Sequence, residues 1–230
     1  MKYRTEWKYI CTDHDMELLS RRIQAVLNTD RNANKEVYNI HSLYYDDYLN
    51  TCAFDNDAGI DERSKWRIRY YDEDIGFIKL ERKQKKNDLC FKESCSLKPD
   101  EMKKLMNKQI QKLFWESQDR LLKEFCIDVM TRRFEPKIII DYERTAYVDP
   151  ILNIRITFDK NICGSLDLEK FMQRDYLKFP VQEKGKHVLE VKFDDLLPSH
   201  IEKIIHESGV QRNTFSKYYL GRLVLERNIL

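Results

Sequence analysis

Arg63, Lys65, Arg67 and Arg69 recur at every second position, the spacing at which side chains share one face of a β-strand. Ser64, Trp66, Ile68 and Tyr70 fall on the other face. Like charges repeated along one strand face repel one another, and an ordinary solvent face mixes both signs with Ser, Thr and Gln. A polyanion is the partner that such a face fits. Arg grips phosphate through its bidentate fork, and Lys adds a mobile point charge. The chemistry indicated is the holding of phosphate groups by side chains.

Residues 77–83 alternate in the same way, with Phe77, Lys79, Glu81 and Lys83 on one side and Ile78, Leu80 and Arg82 on the other. Residues 72–76 between the two runs read as a turn, so the pair forms a hairpin with one charged face. Glycine-rich phosphate loops are missing: the six glycines form neither GxxxxGK[ST] nor GxGxxG. Side chains, not backbone amides, must do the holding.

The cationic face is a local concentration, because 41 Lys+Arg stand against 39 Asp+Glu for a net charge of +2 over 230 residues. General nucleic-acid affinity is not implied. The six cysteines form no CxxC pair and the five histidines have no ligand spacing, so neither a zinc site nor a disulfide framework is indicated. Met1 leads into a charged segment and no run of eighteen apolar residues occurs, so we expect no signal peptide and no direct membrane insertion. A reducing cytoplasm is the expected setting, with any membrane contact made through a membrane partner protein.

The elements that must position these residues read as follows. Residues 4–10 form a strand with Arg4, Glu6 and Lys8 on one face. Thr12 or Asp13 caps a helix ending near Asn28, with Met16, Leu19, Ile23 and Val26 as core. Residues 37–46 are a strand, followed by a loop. Within that loop residues 55–61 superficially suggest a calcium site, but the Gly is one position early and Trp66 stands where the bidentate Glu belongs, so they read as a turn. Residues 90–94 form a strand carrying Lys92. From Pro99 to about Met130 the chain is helical and covers the outside of a sheet. Strands follow at 137–147, at 153–159 with Arg155, Thr157 and Asp159 on one face, and at 187–193 with Val188, Glu190 and Lys192 on one face. Pro198 starts a helix with Ile201, Ile204 and Ile205 on its apolar side and Gly209 as its C-cap, and residues 215–220 form a short final helix.

Six or seven strands with one apolar and one charged face predict an α+β fold: a closed antiparallel β-barrel, charged faces inward, with helices packed on the outside. Inward Arg, Lys and Glu cannot be buried together without an anion and water, so the interior is expected to be a binding tunnel. About eight candidate cations fit a triphosphate or longer chain. Glu190 or Glu6 could hold a divalent metal that bridges phosphate oxygens. Residues 1–230 are expected to form one domain.

Seven motifs then occur in the order in which the VTC domain carries them: Glu6-Trp7-Lys8-Tyr9, Ser42-Leu43-Tyr44-Tyr45-Asp46, Arg67-Ile68-Arg69-Tyr70-Tyr71, Leu80-Glu81-Arg82-Lys83, Tyr142-Glu143-Arg144-Thr145-Ala146-Tyr147, Leu189-Glu190-Val191-Lys192 and Phe215-Ser216-Lys217-Tyr218. Over essentially its whole length the chain resembles this polyphosphate polymerase module of the vacuolar transporter chaperone complex, a branch of the triphosphate tunnel metalloenzymes. The resemblance implies a β-barrel tunnel that binds ATP, transfers its γ-phosphoryl group to polyphosphate and uses Mn2+ or Mg2+. Carried onto matching positions, it implies Lys8, Arg67, Arg69, Lys83, Lys92, Arg144 and Lys217 as phosphate-binding cations, Tyr142 as a substrate contact and Glu190 as the metal ligand. We expect Arg67, Arg69, Lys83 and Arg144 to be catalytic, and Lys65 and Lys192 to join the substrate-binding set.

The chain departs from the family at three places. Arg4 replaces the first Glu of the ExExK strand found in the phosphatase and cyclase branch. Thr214 stands where some relatives have a Lys, and Asn56 stands where a tunnel Arg precedes the Arg-x-Arg pair, with Arg63 or Lys65 as its substitute. Two further functions stay open: a triphosphatase acting on inorganic triphosphate or NTP, and a non-catalytic polyphosphate-binding module.

Overall fold

The computed structural model describes residues 3–30 and 35–226. In chain order the elements are β1 (Arg4–Thr12), α1 (Asp13–Gln24), β2 (Asn28–Thr29), β3 (Val37–Asp46), α2 (Thr51–Asp57), β4 (Arg63–Tyr71), β5 (Asp74–Lys86), β6 (Leu89–Leu97), α3 (Pro99–Met106), α4 (Ile110–Glu116), α5 (Arg120–Arg132), β7 (Glu135–Asp149), β8 (Ile154–Ser165), β9 (Phe179–Pro180), β10 (Lys186–Phe193), α6 (Ser199–His206) and α7 (Lys217–Leu225). Strands β7-β3-β4-β5-β6-β1-β10-β8 pair in that order, and β8 returns to β7. The result is a closed antiparallel barrel of eight strands, with β2 and β9 as short additions. Eight strands close it where six or seven were expected, and the short Lys92 segment is one of them, extending over nine residues as β6.

Period-two alternation decides which side chains enter the barrel. On β4, Trp66, Ile68 and Tyr70 point outward and are fully buried, Tyr70 against His41 and Phe171. Trp66 packs on Phe125 of α5, with ring centroids 5.2 Å apart. This outer core runs over β3, β4, β5 and β7 and is capped by α3, α4 and α5. A second outer core joins Met16, Leu19 and Ile23 of α1 and Ile201 and Ile205 of α6 to the outward faces of β1, β8 and β10. With apolar faces spent outside, the charged faces are left for the interior.

Local chemistry explains where the elements differ from expectation. α1 carries a capping box between Thr12 and Asp15 but stops at Gln24. The turn after it brings Leu27 into the core, and Val26, expected to be buried, is exposed. The helical stretch expected over residues 99–130 is three helices. Lys108 takes a left-handed φ of 56° after α3, Ser117 is extended after α4, and the Asp119 side chain caps α5. The loop before the hairpin contains α2, whose first N–H groups are accepted by Asp46 and Asp47, satisfying donors that Asn50 leaves unbonded.

The final helix reaches further than expected and sits against inward-facing residues at the end of the barrel where β3 stops and β7 starts. Gly221 permits this: a Cβ there would lie 2.5 Å from Ile140 Cδ1 and 2.8 Å from Ile138 Cδ1. Tyr218 stacks on Tyr44 and donates a 2.5 Å hydrogen bond to Asp46. No helix among the described residues is long and apolar enough to cross a membrane.

Candidate functional site

The barrel interior is a network of ion pairs joined by hydrogen bonds and cation–ring contacts. On β1, Glu6 accepts both of its bonds from Lys83 of β5, at 2.6 and 2.8 Å. Lys8 lies 3.2 Å from Glu6 and 4.0 Å from Glu190, and donates to the Phe215 carbonyl at 2.7 Å. Lys192 bridges the same two carboxylates at 3.5 and 3.4 Å. Glu190 in turn accepts from Arg144 at 3.3 Å. Beyond it Asp159 binds Arg144 at 2.5 and 2.7 Å and Lys217 at 2.5 Å.

Lys217 lies over the Tyr142 ring, 4.7 Å from its centroid. Through Tyr142 the network continues to β4, because Arg69 donates to the Tyr142 hydroxyl at 2.9 Å and to Ser42 at 3.0 Å. Arg67 donates to Glu81 at 2.7 Å and to Tyr44 at 3.2 Å. Glu81, fully buried, also accepts from Lys92 at 2.8 Å. Lys65 bonds to Asn56 at 2.9 Å and to Ser216 at 2.8 Å.

The site cations expected from the sequence, Lys8, Lys65, Arg67, Arg69, Lys83, Lys92, Arg144, Lys192 and Lys217, are drawn together in the interior, whereas Arg63 of the same strand face donates to the Ile60 carbonyl. The named Lys and Arg side chains outnumber Glu6, Glu81, Asp159 and Glu190, so the interior is positive. Lys92 is the outermost, with half its side chain exposed.

The electrostatics follow from that excess. Burial and Glu190 push Glu6 upward, but the ammonium groups of Lys83, Lys192 and Lys8 prevail and hold it at about 2. Burial likewise opposes ionisation of Glu81, yet Arg67, Arg69 and Lys92 keep it well below the usual carboxylate range. Glu190 is held down in the same way, against its burial, by Lys192, Lys8, Lys83 and Arg144. All three are ionised at neutral pH. Lys192 moves the other way: burial lowers it more than Glu190 and Glu6 raise it.

For a divalent cation, Glu6 and Glu190 are the available pair, since both contact Lys8 and Lys192. Among the described residues no three His, Cys, Asp or Glu side chains converge as a metal cage. Mg2+ and similar ions that travel with phosphate need only one or two carboxylates, the rest of the shell being phosphate oxygen and water. The donor set fits that kind of ion.

The family description of the VTC domain matches residues 3–226. The chain belongs to the VTC domain family. No curated protein matches the sequence. Among solved structures, a Bacillus halodurans protein provisionally named an adenylate cyclase superposes with a TM-score of 0.53 at 11% identity, covering 94% of each chain. That likeness shows the fold. The PH1819 protein of Pyrococcus horikoshii OT3 superposes with a TM-score of 0.47 at 15% identity, covering 97% of each chain.

Two residues of this VTC domain's interior carry more of the network than their sequence context indicated. Glu81 lies between Lys79 and Lys83 on a strand face read as charged, and Asp159 shares its face with Arg155 and Thr157. Each is fully buried. Their signal was their place on the charged face of a strand. Ser42 and Tyr44 had a weaker one, because β3 is nearly all buried and its two faces look alike in sequence. Outside the barrel, His41 contacts Asp141 at 3.0 Å and His187 contacts Asp13 at 2.7 Å.

Proposed function

We propose that this VTC domain is a metal-dependent phosphotransferase that uses the γ-phosphate of ATP to extend inorganic polyphosphate inside its basic tunnel. The observation that carries the reading is the surplus of Lys and Arg over carboxylate on the inner face of a closed barrel. A buried surplus of one sign calls for a mobile counter-charge, and a chain of phosphates supplies repeated negative charge along a line.

Phosphoryl transfer asks the protein mainly to align reactants and stabilise charge on the transferred group. Arg67, Arg69, Lys83 and Arg144 are assigned to that task, and Lys8, Lys65, Lys92, Lys192, Lys217 and Tyr142 to gripping the rest of the chain. Glu81 and Asp159 fix the Arg67 and Arg144 guanidinium planes before substrate arrives, so little reorganisation remains for the reaction. A substrate enclosed by the barrel would meet less water, which would favour a phosphate acceptor over hydrolysis. Glu190 and Glu6 would hold Mn2+ or Mg2+, which would supply neutralisation of phosphate charge.

The test is incubation of purified protein with ATP and Mn2+, with products resolved by length on a gel. ADP accompanied by a ladder of phosphate chains is the expected result. ADP with free phosphate and no ladder would make the protein a triphosphatase. Tight, salt-sensitive binding of polyphosphate without turnover, indifferent to Glu190→Gln, would make it a non-catalytic module.

A further inference from the structure

Lys65 is set apart from the other tunnel cations. Lys8, Arg67, Arg69, Lys83, Lys92, Arg144, Lys192 and Lys217 each lie within 4.0 Å of a carboxylate oxygen. The Lys65 ammonium position instead meets two neutral acceptors, Asn56 Oδ1 of α2 and Ser216 Oγ at the cap of α7, and the face of Tyr218 at 5.5 Å. Its cross-strand neighbour on β5 is another cation, Lys83.

The charged and titratable groups facing it tell the same story. Lys83 from β5, Lys8 from β1 and Arg63 from its own strand oppose a positive charge there. Cys52 of α2 is a neutral thiol, pushed up by burial and by Asp46. Tyr218 of α7 is neutral as well, raised by burial and by the Asp46 carboxylate to which it donates. Burial and the two neighbouring lysines bring Lys65 down from 10.5 to about 7.

We infer that at pH 8 Lys65 is largely uncharged in the empty tunnel and takes up a proton from solvent as a phosphate chain enters. The anion supplies the counter-charge that the protein withholds, and the Nζ lone pair accepts a proton. No bond to phosphorus is made or broken. Proton uptake thus accompanies anion capture beside α7, and binding tightens as pH falls toward neutrality. This rests on the reading of the tunnel as a phosphate-chain site.

Titration calorimetry of tripolyphosphate at pH 8, in buffers of low and high ionisation enthalpy, counts the protons exchanged. The comparison is with Lys65→Arg, whose guanidinium stays charged, and the ligand's own protonation cancels between the two proteins. Wild type should take up about 0.9 of a proton more than K65R. Between pH 7.5 and 9 its affinity should fall roughly twentyfold more than that of the variant. In wild type alone, the Cε resonance of one lysine should titrate near neutrality in free protein and remain in its charged position at pH 8 with tripolyphosphate bound. Equal proton counts in the two proteins, or every lysine charged at pH 8 in free protein, would overturn the inference while leaving the tunnel reading intact. Failure of tripolyphosphate to bind wild type at any pH would instead remove the reading on which it rests.

Discussion

Asp159 holds Arg144 across two paired strands by hydrogen bonds of 2.5 and 2.7 Å and holds Lys217, the first residue of α7, at 2.5 Å. One fully buried carboxylate therefore fixes a barrel cation and tethers the last helix to the interior. Burial opposes its charge, but Arg144 and Lys217 keep it ionised.

Asp159→Asn leaves those two cations without their main counter-charge. Breaking a buried pair in this way costs about 3–5 kcal/mol, so the free variant should unfold well below wild type in urea. Added tripolyphosphate should restore more stability to the variant than to wild type, because it replaces the missing charge. An equal gain in both proteins would separate Asp159 from the anion site.

Arg67→Ala removes a guanidinium that Glu81 and Tyr44 hold in place. If Arg67 stabilises the transferred group, initial rates of polymer formation from ATP should fall about 10²–10³-fold, as for loss of one preorganised donor. Circular dichroism should remain that of the wild type. A rate within threefold of wild type would take Arg67 out of the reaction.

Stability should fall at acid pH in a defined window. The folded Glu6, Glu81 and Glu190 carboxyls lie below their ordinary value of 4.5, Glu6 at about 2. Their contribution is complete above the unfolded value and is lost as pH falls from about 4.5 toward the folded values. Thermal melts from pH 7 to pH 2.5 should show a steep loss that begins below pH 5 and is shallower in Glu6→Gln. A flat profile down to pH 3 would contradict the charge assignment.

Gly221→Val places a branched side chain where a Cβ alone would already lie 2.5 Å from Ile140. Overpacking of this kind costs typically 1–3 kcal/mol, and it should push α7 away from the barrel together with Lys217. Tripolyphosphate affinity should drop at least tenfold, read by calorimetry. Unchanged affinity would show that the seat of α7 does not shape the tunnel.

Much of this arrangement was legible because barrel strands advertise their faces. Lys65, Arg67 and Arg69 against Trp66, Ile68 and Tyr70 separate cleanly by alternation, and so do Glu190 and Lys192 against Leu189 and Val191. Less could be read where alternation gives no contrast. Tyr44 and Ser42 belong to a strand buried on both faces, and the closing of one barrel end by α7 depends on Gly221, whose missing side chain is silent in any hydrophobic pattern. Helix boundaries failed for a local reason: the breaks near Lys108 and Ser117 are backbone excursions that a continuous apolar period does not reveal. The acidic partners Glu81 and Asp159 became visible as partners only when strand register placed them against Arg67 and Arg144.

The most direct examination is a crystal structure of the protein with bound tripolyphosphate. Phosphate groups lying inside the barrel, within hydrogen-bonding distance of Arg67, Arg69, Arg144 and Lys217, are the predicted result. Saturating anion found only on the outer surface, with the Arg144–Asp159 and Arg67–Glu81 pairs undisturbed and no phosphate beside them, would contradict it.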